Sequence, residues 1–187
     1  MTGGAPSSIA RAIRFLARPR GQAWRDAAGT AAVETVLVAP IALLVLCGGI
    51  ETGHYLYCEH QVLKGVRDAV RYASREPLGT WNCTAAKAEA DLSTTNPAWQ
   101  TIANVAVYGQ VATGSRPRLW SWSAASAAGE VQIRYSCVAV TTGAYAGFAP
   151  KVVVIGKPDY ASLFKALTGL DGTVSLYARQ QALGIGI

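Results

Sequence analysis

Two carboxylates bracket an apolar run in this 187-residue chain. Glu34 lies five residues after Gly29, and Glu51 closes a stretch, Thr35–Ile50, that carries no charge over 16 residues. An ionisable side chain at the centre of a membrane helix costs roughly 2.5–3.5 kcal/mol on insertion scales, so each carboxylate requires a partner or an interfacial position. For Glu34 two readings stand. It is either a headgroup-level charge close to arginines such as Arg25, or a group with a partner or function of its own. Glu51 is a second candidate contact at the far membrane end. Beyond it, His54, Cys58 and His60 form H-x-x-x-C-x-H. His54 and Cys58 share a helix face, which suits a metal, but polar residues at an interface beside a packed thiol explain them more simply, and no metal is expected. With both histidines on one helix, a Ser–His–Asp arrangement has poor geometry. No glycine-rich phosphate loop follows a strand. Glu130, Asp159 and Asp171 are scattered and suit capping or solvated roles. No catalytic residue, no enzyme activity and no cofactor is expected.

The element that must position the two glutamates is a helix. Thr35–Ile50, extended by Ala31–Val33 and by Thr52–Tyr57, approaches the ~20 apolar residues of a membrane span. Tyr55 and Tyr57 suit the lipid–water interface. Pro40 lies inside and is expected to kink or loosen the helix. Leu56, Leu63, Val66, Val70 and Ala73 continue a helical stripe, and Pro77 stops it. One helix is therefore predicted from Thr30 to Glu76, on the order of 70 Å long at ~1.5 Å per residue, crossing the bilayer and protruding as a spine. No small-residue cleavage site follows the run, so a secretory signal peptide fits poorly.

Charge sets the orientation. Residues 1–29 hold five arginines against Asp26, while the remaining residues hold 12 basic and 10 acidic side chains. A basic leader before an apolar span keeps the N-terminus in the cytoplasm. This topology accounts for the overall charge of +6, and a nucleic-acid partner is not expected. The charged fraction of 15% is well under the ~25% of soluble domains, as membrane residence requires. Within the leader, Ile9, Ile13, Phe15, Leu16 and the interleaved arginines fit either a short basic amphipathic helix at the membrane surface, interrupted at Pro19 and Gly21, or a disordered basic tail.

From residue 77 to 187 the pattern is that of a small exported α+β domain with mostly antiparallel strands. Residues 83–92 and 161–172 read as short helices. Residues 104–112 and 130–140 alternate as strands, the second with Val131, Ile133, Tyr135 and Cys137 on one face. Residues 151–156 are an apolar run, and 173–183 read as a final strand. The loop around Trp120 and Trp122, flanked by Arg116 and Arg118, either offers aromatics to a partner or surface or packs them beneath itself. Export places Cys83 and Cys137 where disulfides persist, and they are the expected pair, with Cys58 as the alternative partner.

A basic leader, Gly29, Glu34 as the fifth residue beyond it and an apolar helix resemble the processing site of type IV prepilins. With Pro40, Glu51 and Gly53, and "RDAVRYA" at 67–73, residues 29–76 resemble the TadE-like family of pilin-related proteins. Residues 104–109 and the C-terminal stretch are similar to that family's C-terminal strands. Thr35 stands where prepilins carry an aromatic, and residues 113–150 are longer than the family pattern. The resemblance implies a minor pilin or pseudopilin of a Tad (Flp) pilus, inserted in the inner membrane. It implies cleavage by a prepilin peptidase between Gly29 and Thr30. It also implies association with other pilin-like subunits and Tad assembly proteins, Glu34 pairing with a neighbour's freed Thr30 amine. A bitopic membrane protein with an uncleaved anchor and an external binding or sensory domain is the alternative.

Overall fold

A computed structural model of the chain describes residues 27–141, 147–165 and 174–185, and the side chains from residue 31 on. It contains a long helix, a second helix and a four-stranded antiparallel sheet, an α+β architecture. Two compact units meet in sequence between Cys47 and Gly48.

Helix α1 runs over Ala27–Ala73 with Pro40 inside it. In the first unit it is apolar on every side. The large aliphatic side chains from Val33 to Leu46 are 58–72% exposed. A helix hydrophobic all round belongs in lipid or in a protein interior, and this one is long and apolar enough to cross a membrane.

From Gly48 on, α1 belongs to the second unit and supplies one wall of its core. Cys58, Val62, Val66, Ala69, Val70 and Ala73 are buried, spaced by three and four residues as one helix face demands. The predicted stripe holds at Val66, Val70 and Ala73. Leu56, at its start, is instead 49% exposed, and Cys58 takes the buried position.

After Pro77 a single 3₁₀ turn (Leu78–Trp81) buries Trp81 fully. Strand β1 (Lys87–Asp91) follows, within the stretch read as a short helix. Its alanine, lysine and glutamate favour helix weakly, but antiparallel pairing with β2, Lys87 opposite Cys137 and Ala90 opposite Tyr135, decides the outcome. Helix α2 (Pro97–Tyr108) likewise replaces the strand expected at 104–112. Asn96 caps it, its side chain accepting from the Ala98 amide at 2.9 Å. Pro97 opens it, and Gly109 closes it at φ 73°.

Strands β2 (Val131–Val140) and β3 (Gly147–Gly156) pair over ten residues. Strand β4 (Ala178–Leu183) completes the order β1-β2-β3-β4. Val131 and Ile133 on β2, Val152 and Val154 on β3 and Ala178 on β4 face one core together with both helices. The predicted one-face set of Val131, Ile133 and Cys137 is buried, with Tyr135 half-buried. Most of the helix expected at 161–172 lies outside the described residues.

Candidate functional site

Gly29 and Thr30 lie in the first turns of α1. Glu34 follows one turn later, exposed, and makes no hydrogen bond or ion pair among the described residues. Its neighbour Thr35 returns its hydroxyl to the Ala31 carbonyl at 2.8 Å, a local bond that does not involve the carboxylate.

Glu51 is engaged within the second unit. It is 8% exposed. The Tyr160 hydroxyl donates to Oε1 at 2.7 Å, and the Leu163 and Phe164 amides donate to Oε2 at 3.2 Å each. The carboxylate thus pins the 160–164 segment to α1, as a capping carboxylate holds free backbone amides. Burial, then the adjacent Glu51 charge, pushes the Tyr160 phenol above its ordinary range.

His54 lies on the other side of the same phenol, with Nδ1 3.2 Å from Tyr160 Oη and Nε2 3.6 Å from Cys58 Sγ. The phenol gives its single proton to Glu51, so a neutral imidazole carries its proton at Nδ1 and accepts at Nε2. The chain Cys58–His54–Tyr160–Glu51 therefore satisfies each member and delivers no thiolate. His60 is exposed on a different face, and among the described residues no three His, Cys, Asp or Glu side chains converge as a metal site.

The helix motif at 67–73 divides its labour. Ala69, Val70 and Ala73 are buried, and Arg67 and Arg71 are exposed. Asp68 accepts from Arg118 at 2.7 Å. That pair ties the tryptophan loop to α1, aided by the Arg118 amide donating to the Val107 carbonyl at 2.8 Å. Of the two loop tryptophans, Trp122 is buried and Trp120 is 82% exposed. Gly65 lies where a Cβ would stand 2.3 Å from the Ala106 carbonyl oxygen and 2.8 Å from the Trp122 ring, so α1 and α2 touch backbone to backbone.

Cys83 and Cys137 are joined in a disulfide with Cα atoms 5.5 Å apart, fastening the start of the β1 segment to β2. Cys58 is a buried free thiol, and Cys47 is a half-buried one.

Sequence reasoning found Glu51 but not its partners, because Tyr160 lies 109 residues away and no local pattern links them. The Asp68–Arg118 pair, 50 residues apart, was hidden for the same reason.

Residues 29–71 match the family model described as TadE-like protein. No curated protein and no solved structure matches the chain. The matched residues cover Glu34, the apolar run, Glu51 and most of the "RDAVRYA" motif. Over Gly29–Arg71 the chain is thus similar to the TadE-like protein family.

Proposed function

We propose that the chain is a pilin-like minor subunit or assembly factor of a Tad/Flp-type pilus. Residues 1–29 serve as a cytoplasmic leader, α1 anchors the chain in the inner membrane, and residues 77–187 form the exported domain. Its partners are membrane lipid, a prepilin peptidase, other pilin-like subunits and Tad assembly proteins. The observation that carries this reading is Glu34, an exposed carboxylate with no partner among the described residues, on the part of α1 up to Cys47 that is otherwise apolar all round, inside the segment that matches the TadE-like model.

Cleavage between Gly29 and Thr30 would free an ammonium four residues before each Glu34. When two such helices pack, the carboxylate of one and the ammonium of the other offset charges that are costly alone. Removing one partner of a buried pair costs roughly 3–5 kcal/mol. Glu34→Gln is expected to insert normally and to leave the second unit folded, but to abolish association with other pilin subunits. The test is piliation of the mutant beside membrane fractionation, with mass spectrometry of the N-terminus. Normal pili from Glu34→Gln would reduce Glu34 to a headgroup-level charge. A mature chain still beginning at residue 1 or 2 would favour the uncleaved anchor.

A further inference from the structure

The second unit carries exposed apolar side chains near the start of its own helix, just past the uncharged run. The uncharged run ends at Ile50, itself 46% exposed. The next residue, Glu51, holds the Leu163 amide, and Leu163 is 54% exposed. That contact places Leu163 within about one helical turn of the end of the apolar run. Trp120 shares a small cleft with His54, Tyr57 and Cys58, residues four to eight positions beyond Ile50. At ~1.5 Å per residue this is roughly 6–12 Å further along the axis. Tyr57, on the same cleft, is 56% exposed.

The exposure of Trp120 is built in. Its neighbours Leu119 and Trp122 are buried at 7% and 2%. The turn between them is closed by the Trp122 amide donating to the Leu119 carbonyl at 2.9 Å. Ser121 donates to the Asp159 carbonyl at 2.9 Å, and Arg118 is held by Asp68. With both flanks anchored, the indole is presented outward on a fixed loop. An indole needs a site that is apolar on its body and wet at its N–H, which the headgroup layer supplies. That layer extends about 5–8 Å beyond the hydrocarbon on each side; Leu163 falls within it, and the His54 end of the cleft that Trp120 shares, roughly 6 Å out, falls at its outer part.

We propose that the base of the second unit, through Leu163 and Trp120, is a second membrane contact that seats the domain on the lipid surface next to its own anchor. The proposal rests on the reading of α1 as a membrane span. Arg118, which lines the same cleft, is engaged with Asp68, so the contact is argued from the exposed apolar side chains.

The test uses the full chain with the leader's Trp24 replaced by Phe, reconstituted in phosphatidylethanolamine–phosphatidylglycerol vesicles with bromine high on the acyl chains. Trp81, Trp99 and Trp122 are buried and serve as internal reference. The expected result is quenching by the brominated lipid that disappears in the Trp120→Phe variant. Trp120 emission quenched by aqueous iodide, and not by brominated lipid, would overturn the membrane contact while leaving the span intact. Emission shielded from both would overturn it too, and would assign Trp120 to a protein partner. Release of the chain by alkaline carbonate would overturn the span reading and the contact together.

Discussion

Gly65→Ala tests how the second unit is held together, because its sign runs against helix propensity. Replacing an exposed helical glycine with alanine stabilises by about 1 kcal/mol. At Gly65 the new Cβ would stand 2.3 Å from the Ala106 carbonyl and under 3 Å from two atoms of the Trp122 ring. The carbonyl belongs to the backbone of α2 and cannot rotate aside, so the helices must separate by about 1 Å to reach ordinary contact. Overpacking of this kind costs ~1–3 kcal/mol, and the separation also loosens Val62, Val66 and Ile102, all fully buried. A net loss of about 2 kcal/mol is expected, a fall in Tm of roughly 5–10 °C for a unit of this size. Two controls grade the effect. At Gly156 the Cβ would meet the side-chain ends of Val66, Trp122 and Val62 at 2.9–3.1 Å, which can yield, so Gly156→Ala is expected to cost less. At Gly53 nothing lies within 4 Å, and Gly53→Ala is expected to be neutral or stabilising. Thermal unfolding in detergent by near-ultraviolet circular dichroism, which follows the buried tryptophans, reads all three. A Gly65→Ala protein as stable as the parent would refute the backbone contact between α1 and α2.

The Cys83–Cys137 bond spans 54 residues of sequence and should contribute ~4 kcal/mol in the chain-entropy model; non-reducing peptide mapping that finds both as free thiols would contradict it. Glu51→Gln keeps an acceptor for Tyr160 but presents an amide to the Leu163 and Phe164 donors, and is expected to cost roughly 1–3 kcal/mol, read as the shift in Tm. The Tyr160 phenol is raised by burial and then by Glu51. Stability from its protonated form is therefore complete below the unfolded value of about 10 and is lost as pH rises through the higher folded value. Tyrosinate absorbance should show late-titrating tyrosines, Tyr72 beside Tyr160, of which Tyr160 moves earlier in Glu51→Gln; no change between the two proteins would remove Glu51 as a cause.

The long helix was legible because a charge-free run and a three–four spacing repeat over many turns. Strand β2 was legible because polar Gln132, Arg134 and Ser136 alternate with apolar neighbours. Helix α2 was misread because its polar Gln100, Thr101 and Asn104 come early, while Val105, Ala106 and Val107 after them are all buried, so the stretch from 104 on shows no 3.6-residue period of its own. The Asn96–Pro97 start signal was present in the sequence and outweighed by the alternation of "NVAVY". Strand β1 had the opposite fault, since its composition suits a helix and only its pairing with β2 makes it a strand. At the site, both glutamates were marked by their position beside apolar residues. That Glu51 closes on Tyr160 inside the fold depends on tertiary geometry spanning 109 residues.

The sheet's spatial order equals its order in the chain, which bears on how the domain is made. A polypeptide delivered N-terminus first presents the Gly48–Ala73 wall of the core before any strand appears. Each later strand then finds its hydrogen-bonding neighbour already in place, β2 beside β1, β3 beside β2, β4 beside β3. No strand waits for a distant partner, so the time during which a bare strand edge is open to another chain is short. For molecules crowded side by side while still being synthesised, that schedule protects against wrong pairing, and only β4, the last to arrive, leaves β3 half-paired until the chain is complete.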